Sequence, residues 1–191
     1  MSGFLELAAR RRSVRAYSDR PVEQEKILRC LEAARLAPSA CNAQPWRFIV
    51  VDDPELKDRV ASRTSGGVVP MNYFTRQAPV HVVLVLEPAN LTSRLGSAVK
   101  GKSFPLIDIG IAAEHFCLQA AEEGLGTCIL GWFDERGIRS LLDIPRRSRP
   151  MLVLTLGYPA DAPDRPKKRK PLEQIASWNG YRGSRPPADD A

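Results

Sequence analysis

Residues 108–122 carry apolar side chains on more than one side of a helix. Ile109, Ala112, Ala113, Phe116, Cys117, Ala120 and Ala121 recur at helical spacing and leave little of the surface for water. Such a helix is stable only when covered on most sides, either at the centre of a fold or against another subunit. Asp108 is expected to cap its start, and Gly124 and Gly126 to end it. With 191 residues, the chain can bury a sizeable core around this helix within one domain spanning 1–191.

The remaining periodicities predict an α+β architecture. Residues 4–12 read as a helix with Phe4, Leu5 and Ala8 as its apolar stripe. Pro21-Val22-Glu23 opens a second helix, in which Ile27, Leu28, Leu31, Ala34 and Leu36 follow the 3.6-residue period until Pro38 stops it. Shorter helices are expected over 55–62 and 134–142. The apolar runs at 48–51, 79–86, 127–130 and 151–156 read as strands, with 79–86 central. Residues 90–105 are expected to form a mobile loop. From about residue 160 the chain is proline-rich and charged, yet Leu172, Ile175, Trp178 and Tyr181 give this arm a late apolar set.

A net charge of +6 is concentrated in Arg10 to Arg15, in Arg146-Arg147-Ser148-Arg149 and in Lys167-Lys168-Arg169-Lys170. Such clusters attract nucleic acid, anionic membranes or phosphorylated small molecules. Aromatic residues make up 7% of the chain and do not interleave with the basic clusters, which argues against a stacking surface for nucleic acid. The longest apolar runs are too short to cross a bilayer, and the start shows no secretory pattern. Cys30, Cys41, Cys117 and Cys128 form no C-x-x-C pair, and three of the four sit in apolar surroundings. A reducing, cytoplasmic setting is therefore expected. His81 and His115 lack zinc-ligand spacing and read as structural, so no metal site is expected. Gly124-Leu125-Gly126 is followed by Ile129 where the dinucleotide fingerprint requires a third glycine. Phosphate-loop and nucleophile-elbow motifs are also missing, and no side chain is expected as a catalytic nucleophile or acid.

Two short stretches carry chemistry. Arg11-Arg12-Ser13-Val14-Arg15 lies where a helix gives way to extended chain, so that Arg11, Ser13 and Arg15 can point the same way. Guanidinium and hydroxyl groups in that arrangement suit a doubly charged phosphate. Pro38-Ser39-Ala40-Cys41-Asn42-Ala43-Gln44-Pro45-Trp46 sets two side-chain amides between prolines that restrict the backbone. Asn42 and Gln44 each offer a donor and an acceptor, matching the imide-like edge of a flavin. Trp46 reads as a core residue. A phosphate holder and a ring-edge reader together suit flavin mononucleotide (FMN).

These stretches, with Gly124-Leu125-Gly126-Thr127-Cys128, Leu156-Gly157-Tyr158-Pro159 and Lys167-x-Arg169-Lys170-Pro171-Leu172, resemble the FMN-dependent nitroreductase family in order and across nearly the whole chain. The resemblance implies a nitroreductase-like α+β fold, with a central mixed or antiparallel sheet flanked by helices. It implies a homodimer that exchanges C-terminal arms and binds FMN at the subunit interface. Arg11, Arg12 and Ser13 would hold the phosphate and ribityl chain, and Arg15 would sit near the flavin N1–C2=O edge. Pro38, Ser39, Ala40, Asn42 and Gln44 would approach from the other subunit. Lys167 and Arg169 would close on the phosphate, and Leu130 and Gly131 would lie near flavin N5. Ala40 stands where many relatives have a second serine, and Trp132 where a second glycine is common; Asn72 is a further candidate contact. The expected activity is NAD(P)H-driven, ping-pong reduction of a small flat acceptor such as a nitroaromatic or quinone. Residues 68–73 and 90–105 are expected to select that acceptor. Reductive dehalogenation, enone reduction, flavin breakdown and a non-catalytic FMN carrier share the same motifs, and a basic nucleic-acid-binding module is the rival from another class.

Overall fold

The computed structural model describes residues 3–65, 71–88, 103–160 and 167–183. Helices α1 (Gly3–Arg10) and α2 (Gln24–Arg35) precede strand β1 (Trp46–Val51) and helix α3 (Pro54–Thr64). Strand β2 (Val80–Leu86), the long helix α4 (Phe104–Glu122), β3 (Gly126–Leu130), α5 (Glu135–Leu141) and β4 (Arg149–Gly157) follow. The four strands form one sheet in the order β1-β2-β4-β3, and each neighbouring pair is antiparallel.

Helices cover both faces of β2, which explains its unbroken apolar sequence. Val80, Val82 and Leu84 enter one cluster with Ile27 and Cys30 of α2 and Phe116 and Cys117 of α4. Trp46 packs against this cluster, and Phe48 stacks on Phe116 with ring centroids 6.2 Å apart. On the opposite face, Val83 and Val85 meet Val60 of α3 and Ile138 of α5. Asp53 and Asp134 cap α3 and α5 by accepting the backbone N–H groups of Leu56 and Gly137.

Helix α4 corrects the expected boundaries. It begins at Phe104, with Ser103 in the cap position and Pro105 in the first turn, where a missing N–H costs nothing. Asp108 is therefore not the cap; it lies in the second turn and is buried. The expected loop at 90–105 ends before Phe104, and its residues 90–102 lie outside the described residues. At the other end, Gly124 adopts φ 75°. Gly124 N–H bonds to the Ala121 carbonyl and Leu125 N–H to the Ala120 carbonyl, the paired closure that a left-handed glycine permits. Ile109, Ala112, Phe116 and Ala120 face the core, while Leu106 and Ile107 in the first turn remain exposed.

The arm contains one short helical turn, Leu172–Gln174, and then folds on itself through a Trp178 N–H to Gly183 carbonyl bond of 3.2 Å. Leu172, Ile175 and Trp178 are exposed within the single chain, and Tyr181 is 96% exposed.

Candidate cofactor site

The segment after α1 runs along the free edge of β3. Ser13 bridges Thr127 in the parallel sense, and Val14 N–H donates to the Thr127 carbonyl at 2.8 Å. A Cβ on Gly126 would fall 2.6 Å from Val14 Cγ2, nearer than such atoms approach. Glycine at 126 is what lets the arginine-bearing segment lie this close to the strand. Tyr17 secures its far end: its hydroxyl donates to the Val14 carbonyl at 2.9 Å and lies 2.6 Å from Thr155 Oγ1. Burial pushes the Tyr17 pKa well above its ordinary value, so it serves as a neutral brace.

The early and late basic motifs meet at the end of α1. Lys167 Nζ donates to the Ala8 carbonyl at 2.6 Å. Partial desolvation, and then repulsion from Arg11, Arg169 and Arg12, holds the Lys167 pKa below its usual value. Four cations gathered in this way fit a phosphate monoester, whose two negative charges relieve their repulsion. Arg11 Nε also pairs with Glu114 of α4 at 3.0 Å, a contact that gives it a fixed direction. Ser13, Arg15 and Arg11 all act on the Cys128 thiol, whose pKa burial raises against their opposing pull. The Arg15 guanidinium lies 5.9 Å from the centre of the Phe74 ring.

The amide segment forms a tight loop. Ala40–Asn42 make one helical turn, and Cys41, Asn42 and Gln44 have φ of 53°, 50° and 46°. Ser39 Oγ accepts the Gln44 backbone N–H at 3.0 Å, and Gln44 Nε2 donates to Asn42 Oδ1 at 3.0 Å. Pro38, Asn42 and Gln44 are exposed, while Ser39 and Ala40 are half-buried. Ala40 N–H donates to Asp108 Oδ1 at 3.2 Å. This loop and Arg11 thus sit at different places on α4. Asp108 and Glu114 are about 120° apart around the helix and roughly 9 Å apart along it.

At the end of β3, Leu130 is buried, Gly131 is exposed and the Trp132 side chain is 67% exposed. Asn72, at φ 64°, donates from Nδ2 to the carbonyls of Thr64 (3.2 Å) and Trp132 (3.3 Å). Its amide donors link the end of α3 to the turn after β3, a role the sequence did not suggest. Sequence reasoning also missed Glu114, Phe74 and the anchoring by Asp108. The one available signal was a lone carboxylate within the apolar stretch 104–113.

Among the described residues no group of His, Cys, Asp and Glu side chains could hold a metal ion, and no helix is long and apolar enough to cross a membrane. The described chain thus carries a basic cluster and an amide loop at separate places on α4, on an antiparallel sheet with helices on both faces. The sequence profile of the Nitroreductase family matches residues 8–158. A Methanothermobacter thermautotrophicus protein, provisionally named NADH dehydrogenase/NAD(P)H nitroreductase, is 35% identical over 163 residues, covering 83% of this chain and 78% of its own. The FMN reductase [NAD(P)H] of Bacillus subtilis is 31% identical, covering 89% of this chain and 71% of its own. The solved structure of an FMN-dependent nitroreductase from Clostridium difficile R20291 superposes with a TM-score of 0.74 at 29% identity, covering 93% of this chain and 99% of that one. The chain belongs to the nitroreductase family. It is an FMN-dependent NAD(P)H oxidoreductase.

Proposed function

We propose that this oxidoreductase works as a homodimer that reduces flat electrophilic acceptors, nitroaromatics or quinones, at an FMN held between the subunits. The carrying observation is the Lys167 Nζ bond to the Ala8 carbonyl, which brings the late basic motif to the end of α1 and within electrostatic reach of Arg11 and Arg12, although the two motifs lie more than 150 positions apart. Arg11, Arg12, Lys167 and Arg169 would hold the FMN phosphate, with Ser13 on the ribityl side and Arg15 toward the N1–C2=O edge. Pro38, Ser39, Ala40, Asn42 and Gln44 would reach the ring from the second subunit, and Leu130 and Gly131 would border its N5 side. When bound, FMN supplies hydride acceptance and donation at N5, which gives ping-pong kinetics.

Exposed apolar side chains support the dimer. Phe4 and Leu5 of α1, Leu106 and Ile107 of α4, and Ile175 and Trp178 of the arm are left uncovered in a single chain. Placement of the amide loop and Arg11 on different sides of α4 supports the same reading, because two copies then supply the two halves of a site.

The chain's residues prepare the site for charge. A fixed guanidinium at Arg15 opposes negative charge developing at the N1–C2=O edge on reduction. The test is flavin-dependent oxidation of NADPH, and separately of NADH, with a nitroarene and with a quinone. Turnover that follows ping-pong kinetics supports the reading, and no turnover with either nicotinamide sinks it. Iodotyrosine deiodinase 1 of Sus scrofa is 30% identical, covering 90% of this chain. A halogenated phenol in the same assay distinguishes reductive dehalogenation.

A further inference from the structure

We propose that Asp108 is the positioning residue that holds the 38–44 loop in its ring-reading conformation. The proposal rests on the reading above, in which this loop meets FMN.

Three non-glycine residues of the loop, Cys41, Asn42 and Gln44, occupy the left-handed region. Side chains of this kind persist there only where the surroundings hold them. Most of the loop's bonds are internal: Asn42 N–H to the Ser39 carbonyl, Ala43 N–H to the Ala40 carbonyl, Gln44 N–H to Ser39 Oγ, and Gln44 Nε2 to Asn42. Internal bonds fix the shape of a loop, not its place on the protein. Among the described residues, the hydrogen bond that ties 39–44 to a helix is Ala40 N–H to Asp108 Oδ1.

Asp108 is costly where it stands. It is 3% exposed, it is the lone charged residue in the apolar stretch 104–113, and Oδ2 has no partner among the described residues. It does not cap α4, since Ser103 holds that position. Its remaining structural task is the acceptor it offers Ala40. Asp108 acts through the loop and is not itself a catalytic residue.

The experiment compares the wild type with Asp108→Ala and Asp108→Asn. In FMN-free protein, amide hydrogen exchange is read over residues 38–45; FMN affinity is read by calorimetry. Asp108→Ala is expected to speed exchange at Asn42, Ala43 and Gln44 about tenfold and to weaken FMN binding about tenfold. Asp108→Asn keeps an acceptor at Oδ1 and is expected to stay within about threefold of wild type in both readouts. Wild-type exchange and affinity in Asp108→Ala overturn the proposal. So does an Asp108→Asn protein as impaired as Asp108→Ala, because the acceptor would then not be what matters.

If Asp108→Ala does not fold, Ala40→Pro removes the same bond from its donor side. Ser39 lies at φ −144° and ψ 152°, a conformation that a following proline accepts, and Ala40 opens a helical turn. Weakened FMN binding with faster exchange at Asn42 to Gln44 supports the proposal, and wild-type behaviour overturns it. Failure of the wild-type protein to bind FMN overturns the proposed function instead, and the cofactor half of this inference with it. The exchange data then judge the anchoring of the loop separately.

Discussion

Lys167 Nζ donates to the Ala8 carbonyl oxygen at 2.6 Å, which joins the start of the C-terminal arm to the last turn of α1. The bond brings the arm's charge to Arg11 and Arg12, and its loss is expected to reach the cofactor. Each charged hydrogen bond to phosphate is worth about 1.5–3 kcal/mol, so Lys167→Ala should weaken FMN binding roughly ten- to a hundredfold. The loss should shrink as salt rises, because screening already weakens the attraction in the wild type. Calorimetry at two ionic strengths checks this, and unchanged affinity removes Lys167 from the phosphate site.

Gly126→Ala is expected to push the arginine-bearing segment off β3, since Val14 occupies the space a Cβ needs. Overpacking of this kind costs about 1–3 kcal/mol. Thermal melting should show the loss, and FMN affinity should fall with it. Adding Val14→Ala should recover part of both; a double variant no better than Gly126→Ala would place the damage elsewhere.

Arg15→Ala is expected to lower the midpoint potential of the bound flavin, because the reduced, more negative state loses a nearby cation. Phe74 beneath the guanidinium restricts where that charge can go. Potentiometry of the FMN-loaded variant is the measurement. An unchanged potential with FMN still bound would move Arg15 away from the ring.

His81 makes stability depend on pH. The residue is fully buried on β2, and neither ring nitrogen makes a hydrogen bond of ordinary geometry to another described residue. Burial, and then the Lys57 ammonium, lowers its pKa from 6.5 to about 4, against weak opposition from the Thr75 backbone. Between these values the unfolded chain takes up a proton that the folded chain does not. Stability is therefore fully present above the unfolded pKa and is lost as pH falls toward the folded one. The contribution is on the order of 3 kcal/mol. Urea unfolding from about pH 7 down to about pH 4 should show the decline, and His81→Leu should flatten it. An equal slope in that variant would assign the decline to other groups.

Truncation after Lys170 removes Leu172, Ile175, Trp178 and Tyr181, all exposed in the single chain. If a second copy covers them, the shortened protein should sediment as a monomer or become unstable, and should lose FMN. A stable dimer with full FMN content would show that the arm does not cross.

Elements with strong local signals were legible from the residues. The apolar run of β2, the period of α2 and the closing Gly124 each act within a few positions of themselves. The arginine motif and the amide loop stand out in the sequence because their residue types suit a phosphate and a ring edge, and their roles there belong to the proposed function. The start of α4 was misplaced because Phe104-Pro105 resembles loop sequence, although proline is compatible with a first helical turn. Asp108 was read as a cap for the same local reason.

The sequence by itself determined which residues carry charge and amides, which runs are apolar, and therefore the α+β class and the kind of ligand the chain can hold. Only the tertiary structure decided that Lys167 lies on α1, that Val14 rests on Gly126, and that a buried carboxylate faces Ala40. Those contacts join positions 68 to 159 residues apart in the chain. Periodicity and capping are set by neighbours in sequence, whereas such contacts follow from how the helices and the sheet pack as whole bodies, which no local pattern encodes.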